Sequence, residues 1–126
     1  MIRTTLAVGA LLLAAGGTAA AADNPALTKC MDGAQTTADM VGCNVKQAKV
    51  QDARLNKAYK TALAAQEGNR KQQLQDLQRL WIKYRDANCA FAGSATGGTI
   101  DQVNGSGCVL DMTQTRAQEL EDLVGP

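Results

Sequence analysis

Residues 77–89, LQRLWIKYRDANC, constrain the fold more than any other part of the chain. The segment holds the only tryptophan, one of the two tyrosines, an Arg-Asp pair and a cysteine, all at helical spacing. The aromatic residues of the whole sequence are Tyr59, Trp81, Tyr84 and Phe91, and the last three are crowded into this stretch and its edge. Large rigid side chains bury far more area than alanine, so the core is expected where Trp81 points.

The four cysteines, Cys30, Cys43, Cys89 and Cys108, follow an N-terminal segment with the marks of a secretory signal. Arg3 supplies a positive n-region, residues 6–15 an apolar h-region, and Ala20, Ala21 and Ala22 a small-residue cleavage site before Asp23. The apolar run is too short for a spanning helix, which needs about 20 residues. The expected organisation is a signal peptide over 1–22 and one helical domain over 23–126, periplasmic or secreted, with no membrane span after cleavage. An even cysteine count in an exported chain reads as a disulfide framework. A zinc site is disfavoured by the absence of histidine and of any CxxC, and no cofactor is expected. Four cysteines permit three connectivities, and the short spacings make sequential pairing, Cys30–Cys43 and Cys89–Cys108, the simplest. Each bridge would contribute about 3 kcal/mol in the chain-entropy account. That matters because a domain of this length buries only a modest core.

After a short polar segment at 23–36, Val41, Val45, Ala48, Asp52, Leu55, Tyr59 and Ala62 recur at gaps of four and three. They predict one helix running to about Gln66. Gly68 and Asn69 are a natural stop. A second helix is expected from about Arg70 to Ala90, with Leu74, Leu77, Trp81, Tyr84 and Asn88 as its inward stripe. So short a break implies an antiparallel hairpin. Residues 92–107, AGSATGGTIDQVNGSG, carry five glycines and no helical period, so a long Gly-rich loop is expected between Cys89 and Cys108. A last helix follows over about 109–123, with Leu110, Thr113, Ala117, Leu120 and Val124 on one side. Strand signals are absent. The fold class is all-α: a disulfide-stapled antiparallel helical hairpin plus a C-terminal helix. Its core is expected to include Leu55, Tyr59, Leu77, Trp81, Tyr84 and Leu120.

Asp52 interrupts an otherwise apolar stripe, and a carboxylate there has to be paired or hydrogen-bonded. Arg85 lies at a similar height on the facing helix, so an Asp52–Arg85 pair that fixes how the helices dock is expected. No catalytic set can be assembled. There is no histidine to act as a base, the cysteines are expected to be oxidised, and Ser94 and Ser106 are the only serines. The chain is therefore not expected to be an enzyme. Nor does the charge suggest nucleic acid, since 12 acidic residues balance the basic ones within one unit of net charge. Basic residues concentrate in 44–85 and acidic ones in 86–126, a dipolar pattern that can orient a charged partner. In the Gly-rich loop, Ile100, Asp101, Gln102 and Val103 are the bulky or charged members and form the candidate partner-binding surface.

Several landmarks occur together: Cys30, TTADMVGC ending at Cys43, DARLNKAY from Asp52 to Tyr59, QRLWIKYRDANC ending at Cys89, Cys108, and LDMTQTRAQEL ending at Leu120. In these the chain resembles a family of small exported four-cysteine proteins similar to the N-terminal part of the lysozyme inhibitor LprI. The resemblance spans nearly all of 23–126. It implies a disulfide-stapled helical domain and a lysozyme inhibitor of the cell envelope acting by protein–protein binding. The partner would be lysozyme or another envelope protein. The alternative function is a non-enzymatic periplasmic binding or adaptor module unrelated to lysozyme.

Overall fold

The computed structural model describes residues 23–125, so the expected signal peptide lies outside the described residues. Four helices follow one another: α1 (Pro25–Asp32), α2 (Thr37–Ala64), α3 (Asn69–Ala92) and α4 (Ile100–Asp122). No strand occurs among the described residues, and the all-α expectation holds.

Local chemistry sets the helix starts. Asn24 caps α1, its Oδ1 accepting from Leu27 N at 3.0 Å, and Pro25 sits at the first helical position, where its missing N–H costs nothing. This Asn-Pro signature marks α1 within a stretch that reads at first only as a polar segment. At α2, Thr36 Oγ1 accepts from Asp39 N at 3.1 Å while Asp39 Oδ2 accepts from Thr36 N at 3.0 Å, a reciprocal capping box. The chain then reverses through 65–68. Gly68 turns it with φ +53°, a conformation that L side chains rarely adopt.

α4 is the centre of the molecule. α2 packs along it, α3 packs on its other side, and α2 and α3 touch each other only sparsely. α2 and α3, joined by the shortest turn, are thus not each other's main packing partners. Leu55, Ala58 and Ala62 of α2, Leu74 of α3, and Ala117 and Leu120 of α4 form the buried cluster, against which Tyr59, Leu63 and Trp81 pack. The alanines at 58, 62 and 117 leave room for the backbones to approach. Arg54 on α2 donates from Nε and Nη2 to both oxygens of Glu121 on α4, at 2.8 and 2.6 Å. That pair is partly exposed, so it contributes at most about 1 kcal/mol and chiefly fixes register.

Both disulfides take the sequential pairing. Cys30–Cys43 ties α1 to α2 (Cα–Cα 5.7 Å) and Cys89–Cys108 ties α3 to α4 (5.4 Å).

The long loop is shorter than the sequence implies. α4 is already helical at Ile100, and only 93–99 is irregular. Ile100, Asp101, Gln102 and Val103 are therefore the first turn of a helix, not a loop. Asp101 explains the difference. Its carboxylate is buried and accepts from Thr96 N, Thr96 Oγ1 and Gly97 N at 2.7–3.1 Å, so it organises the preceding turn from within the helix. Gly93, which ends α3, lies where the α3 and α4 backbones approach closely. A Cβ on Gly93 would lie 3.2 Å from Asp101 O and 3.3 Å from both Cys89 O and Gly105 Cα, all backbone atoms. At the α3–α4 crossing beside the disulfide, a larger residue there would have to push these backbones apart by a few tenths of an ångström.

Two stripes are rotated from their expected phase. On α2 the inward residues are Cys43, Asn44, Gln47, Leu55, Ala58 and Ala62, while Val45 and Asp52 face outward. Asn44 is drawn in because its Nδ2 donates to Val103 O at 3.2 Å and Ser106 Oγ at 3.0 Å on α4. On α3 the inward residues are Leu74, Gln78 and Cys89. Leu77 and Tyr84, expected in the core, are 51% and 62% exposed. The cause is Arg116, a buried arginine on α4 whose Nε donates to Gln78 Oε1 at 3.0 Å. A buried guanidinium needs acceptors, and Gln78 takes an inward place beside Leu74 to supply one, while Leu77 and Leu80 face solvent. Leu55 and Leu120 are buried as expected, and Tyr59 and Trp81 are half-buried.

The caps and the interhelical pair make stability pH-dependent. The Thr36 hydroxyl and two backbone N–H groups hold the Asp39 carboxyl below its ordinary value, and Arg54 does the same for Glu121. At Asp101, burial pushes the carboxyl up, but the hydrogen bonds from Thr96 and Gly97 outweigh it and the net direction is down. A group whose folded pKa is depressed contributes stability above its unfolded pKa and loses it as pH falls through the folded value. Asp111 runs the other way, its carboxyl raised by burial, but it is one group against three. Thermal melts by circular dichroism at fixed salt are therefore expected to be flat from about pH 7 to 5. They should fall progressively below about pH 4, the ordinary carboxylate range. A midpoint that rises on acidification would contradict these assignments.

Candidate protein-binding groove

α3 and α4 leave a groove of about 310 Å³ between them, lined by Trp81 and Tyr84 from α3 and by Asp111, Met112, Thr115, Arg116 and Glu119 from α4. Its floor is rigid. Met112 Sδ rests 3.7 Å from Cys89 Sγ and 3.9 Å from Cys108 Sγ, and Asn88 Nδ2 donates to it at 3.4 Å. The Arg116 side chain is only 9% exposed. Its Nη1 donates to Glu119 Oε2 at 2.8 Å, and its Nη2 is buried without a partner among the described residues.

Trp81 carries two cations. The guanidinium carbon of Arg85 lies over its ring at 5.2 Å from the centroid, and that of Arg116 at 6.0 Å. Cation–π contacts of this kind favour keeping both guanidinium groups over the ring. Trp81 is thus the hinge between core and surface: one side packs on the central cluster, and the ring also lines the groove.

Along the groove's outer wall runs an apolar seam. Leu77, Leu80, Tyr84, Ala87 and Phe91 recur at gaps of three and four, which places them within an arc of about 80° on α3 at the helical 100° per residue. All face solvent, with Leu80 at 63% and Phe91 at 82% exposed. The spacing is that of a coiled-coil seam. A helix face of large side chains this exposed marks an interaction surface more often than bare solubility allows. Sequence reasoning missed it by assigning Leu77 and Tyr84 to the core. The signal was present, because two stripes at helical spacing run side by side on α3 and only one can face α4.

The expected Asp52–Arg85 ion pair does not form. Arg85 Nε and Nη2 donate to the adjacent Asp86 Oδ1 at 3.0 and 2.8 Å, while Asp52 accepts from Asn56 Nδ2 at 3.2 Å. The two side chains nevertheless line one trough, where α2 and α3 stand apart over α4. Of the candidate surface at 100–103, Asp101 is consumed by its own turn and Val103 O by Asn44, leaving Ile100 and Gln102 exposed. Among the described residues no helix is long and apolar enough to cross a membrane.

Fold and surface together define a small helical domain stapled by two disulfides, the covalent chemistry of oxidising compartments, with an exposed aromatic and aliphatic helix face. The chain belongs to the LprI lysozyme-inhibitor family: the family model described as "Lysozyme inhibitor LprI" matches residues 29–120, from within α1 to near the end of α4. It is 33% identical over 100 residues to an uncharacterized protein of Rhizobium meliloti (strain 1021), covering 68% of this chain and 72% of that relative. No solved structure matches the chain.

Proposed function

We propose that the protein is exported, loses residues 1–22, and acts in the periplasm or outside the cell as an inhibitor that binds lysozyme through the α3 face. The observation that carries this reading is the exposed seam Leu77, Leu80, Tyr84 and Phe91 beside the Trp81 groove, within the span that the family model covers. Aromatic anchors in a central patch dominate protein interfaces. Tyr84 lies between the seam and the groove and serves as that anchor. Asp111 on the opposite wall, unlike Glu119 which is paired with Arg116, supplies negative charge that would speed encounter with a basic lysozyme surface. Inhibition then follows from steric occlusion of a cleft in which two carboxylates flank the scissile bond, and requires no chemistry from the inhibitor.

The test is a lysozyme assay with the purified chain from residue 23 onward. Inhibition is expected at or below tens of micromolar for at least one of the c-, g- and i-type enzymes. Tyr84→Ala and Leu80→Asp should each weaken it at least tenfold, the factor that corresponds to 1.4 kcal/mol, with unchanged melting. No inhibition of any type would overturn the lysozyme reading. Inhibition indifferent to both substitutions would move the binding surface off α3.

A further inference from the structure

The trough between α2 and α3 has a chemistry that a protein-docking face on the other flank of α3 does not use. Because both helices pack on α4 but scarcely on each other, a recess of about 370 Å³ stays open above α4. That is the lower end of the size range of small-ligand sites. Val45, Ala48, Lys49 and Asp52 form the α2 wall, Arg85 the α3 wall, and Ser106, Val109 and Thr113 the floor.

Charges of opposite sign face this recess from opposite walls and do not meet. Asp52 has only a neutral amide, Asn56, as partner. Arg85 is held by Asp86 through Nε and Nη2 and is pinned over Trp81, which leaves Nη1 without a partner among the described residues. Lys49 adds a second cation on the Asp52 wall. A carboxylate and a guanidinium held apart in this way offer an ammonium group and a carboxylate group their complements at once. The floor points the same way. Thr113 is 1% exposed, and its Oγ1 has no hydrogen-bond partner among the described residues. Buried hydroxyls are ordinarily satisfied, so an orphan beneath an open recess is what a ligand group would complete. Val45, Ala48 and Val109 provide an apolar strip for the ligand's own side chain.

We propose that this trough binds a small zwitterion, a free amino acid or a short peptide with both termini charged, its carboxylate on Arg85 and Lys49 and its ammonium on Asp52. The assignment is independent of lysozyme binding, which uses the opposite edge of α3.

Titration of the ¹⁵N-labelled chain from residue 23 onward, followed by amide shifts, tests it with four probes: L-alanine, Ala-Ala, N-acetyl-Ala-Ala and Ala-Ala amide. Saturable shifts clustered at Val45, Ser106, Val109 and Thr113 are expected for at least one of the two zwitterions. Whichever of these binds more tightly assigns the source as free amino acid or peptide. Capping either terminus of Ala-Ala should weaken binding at least tenfold if the peptide is the ligand, and neither capped form should bind if alanine is. Asp52→Asn should remove the preference for a free amine. Arg85→Gln should remove the preference for a free carboxylate, and Arg85→Lys should restore part of it. Asp52 is exposed, so Asp52→Asn is expected to fold normally. The proposal is overturned if neither zwitterion perturbs the trough at about 20 mM, if capped and uncapped forms bind alike, or if the folded Asp52→Asn protein discriminates as the native one does.

Discussion

Replacing Leu120 with alanine is expected to destabilise the protein by about 3–5 kcal/mol, the upper range for a leucine truncated in a tightly packed core. Leu120 is fully buried, at 0% exposure, and lies in the cluster where α2, α3 and α4 meet. Its neighbours include Ala58, Ala62 and Ala117, which have no side-chain length to collapse into the space left behind. Domains of this size have a total stability of about 5–15 kcal/mol, so the loss is a large share of the whole. For a domain of roughly 100 residues each kcal/mol moves the melting temperature by about 4–8 °C, and a drop of more than about 10 °C is expected in thermal melts. Leu80→Ala is the matched control. It deletes the same atoms from a side chain 63% exposed on the outer seam, and should change stability by no more than about 0.5 kcal/mol. Equal effects at the two positions would mean that α3 is turned the other way.

The two disulfides should differ although they close loops of similar size. Sequence separations of 13 and 19 give nearly equal stabilisation, about 3 kcal/mol each, if only loop closure mattered. One cysteine of each pair is buried, Cys43 and Cys89, so the cavity left by alanine is also matched. The difference lies in what each bridge holds. α1 has eight residues and none of them is buried. A helix that short is unstable alone, and without Cys30 it can detach while α2–α4 remain folded. The C30A/C43A double variant is therefore expected to lose amide protection throughout α1 with a small change in the main transition. Cys89–Cys108 instead clamps the α3–α4 crossing, beside the Gly93–Gly105 backbone contact and under Met112. The C89A/C108A double variant should lower the global transition by the full amount of about 3 kcal/mol. Hydrogen exchange on both variants separates local from global loss. Global unfolding of the first, or merely local fraying of the second, would reverse the assignment.

The same distinction explains what was legible in the linear chain. The two long helices α2 and α3, the turn at Gly68 and the sequential disulfide pairing all depend on residues close in sequence, and each is found where the pattern places it, whereas α1 was read only as a polar segment. The start of α4 was not legible. Glycines at 105 and 107 lower helix propensity, and nothing local announces that Asp101 will close the turn before it or that Gly105 will meet Gly93. The candidate surface moved for a related reason. Leu77 and Tyr84 share α3 with Leu74, Trp81 and Arg85, and hydrophobicity alone cannot choose between two adjacent stripes.

By itself, then, the sequence determined four-cysteine stapling, the helical class and the family, because periodicity, turn residues and cysteine spacing are written in local order. Tertiary structure alone decided which way α2 and α3 face. Arg116 and Asn44, polar groups that burial obliges to find partners, drew Gln78 inward and turned Leu77, Tyr84 and Asp52 out. The segment around Trp81 is consequently both wall and core, and what it presents to solvent was set by a guanidinium on another helix.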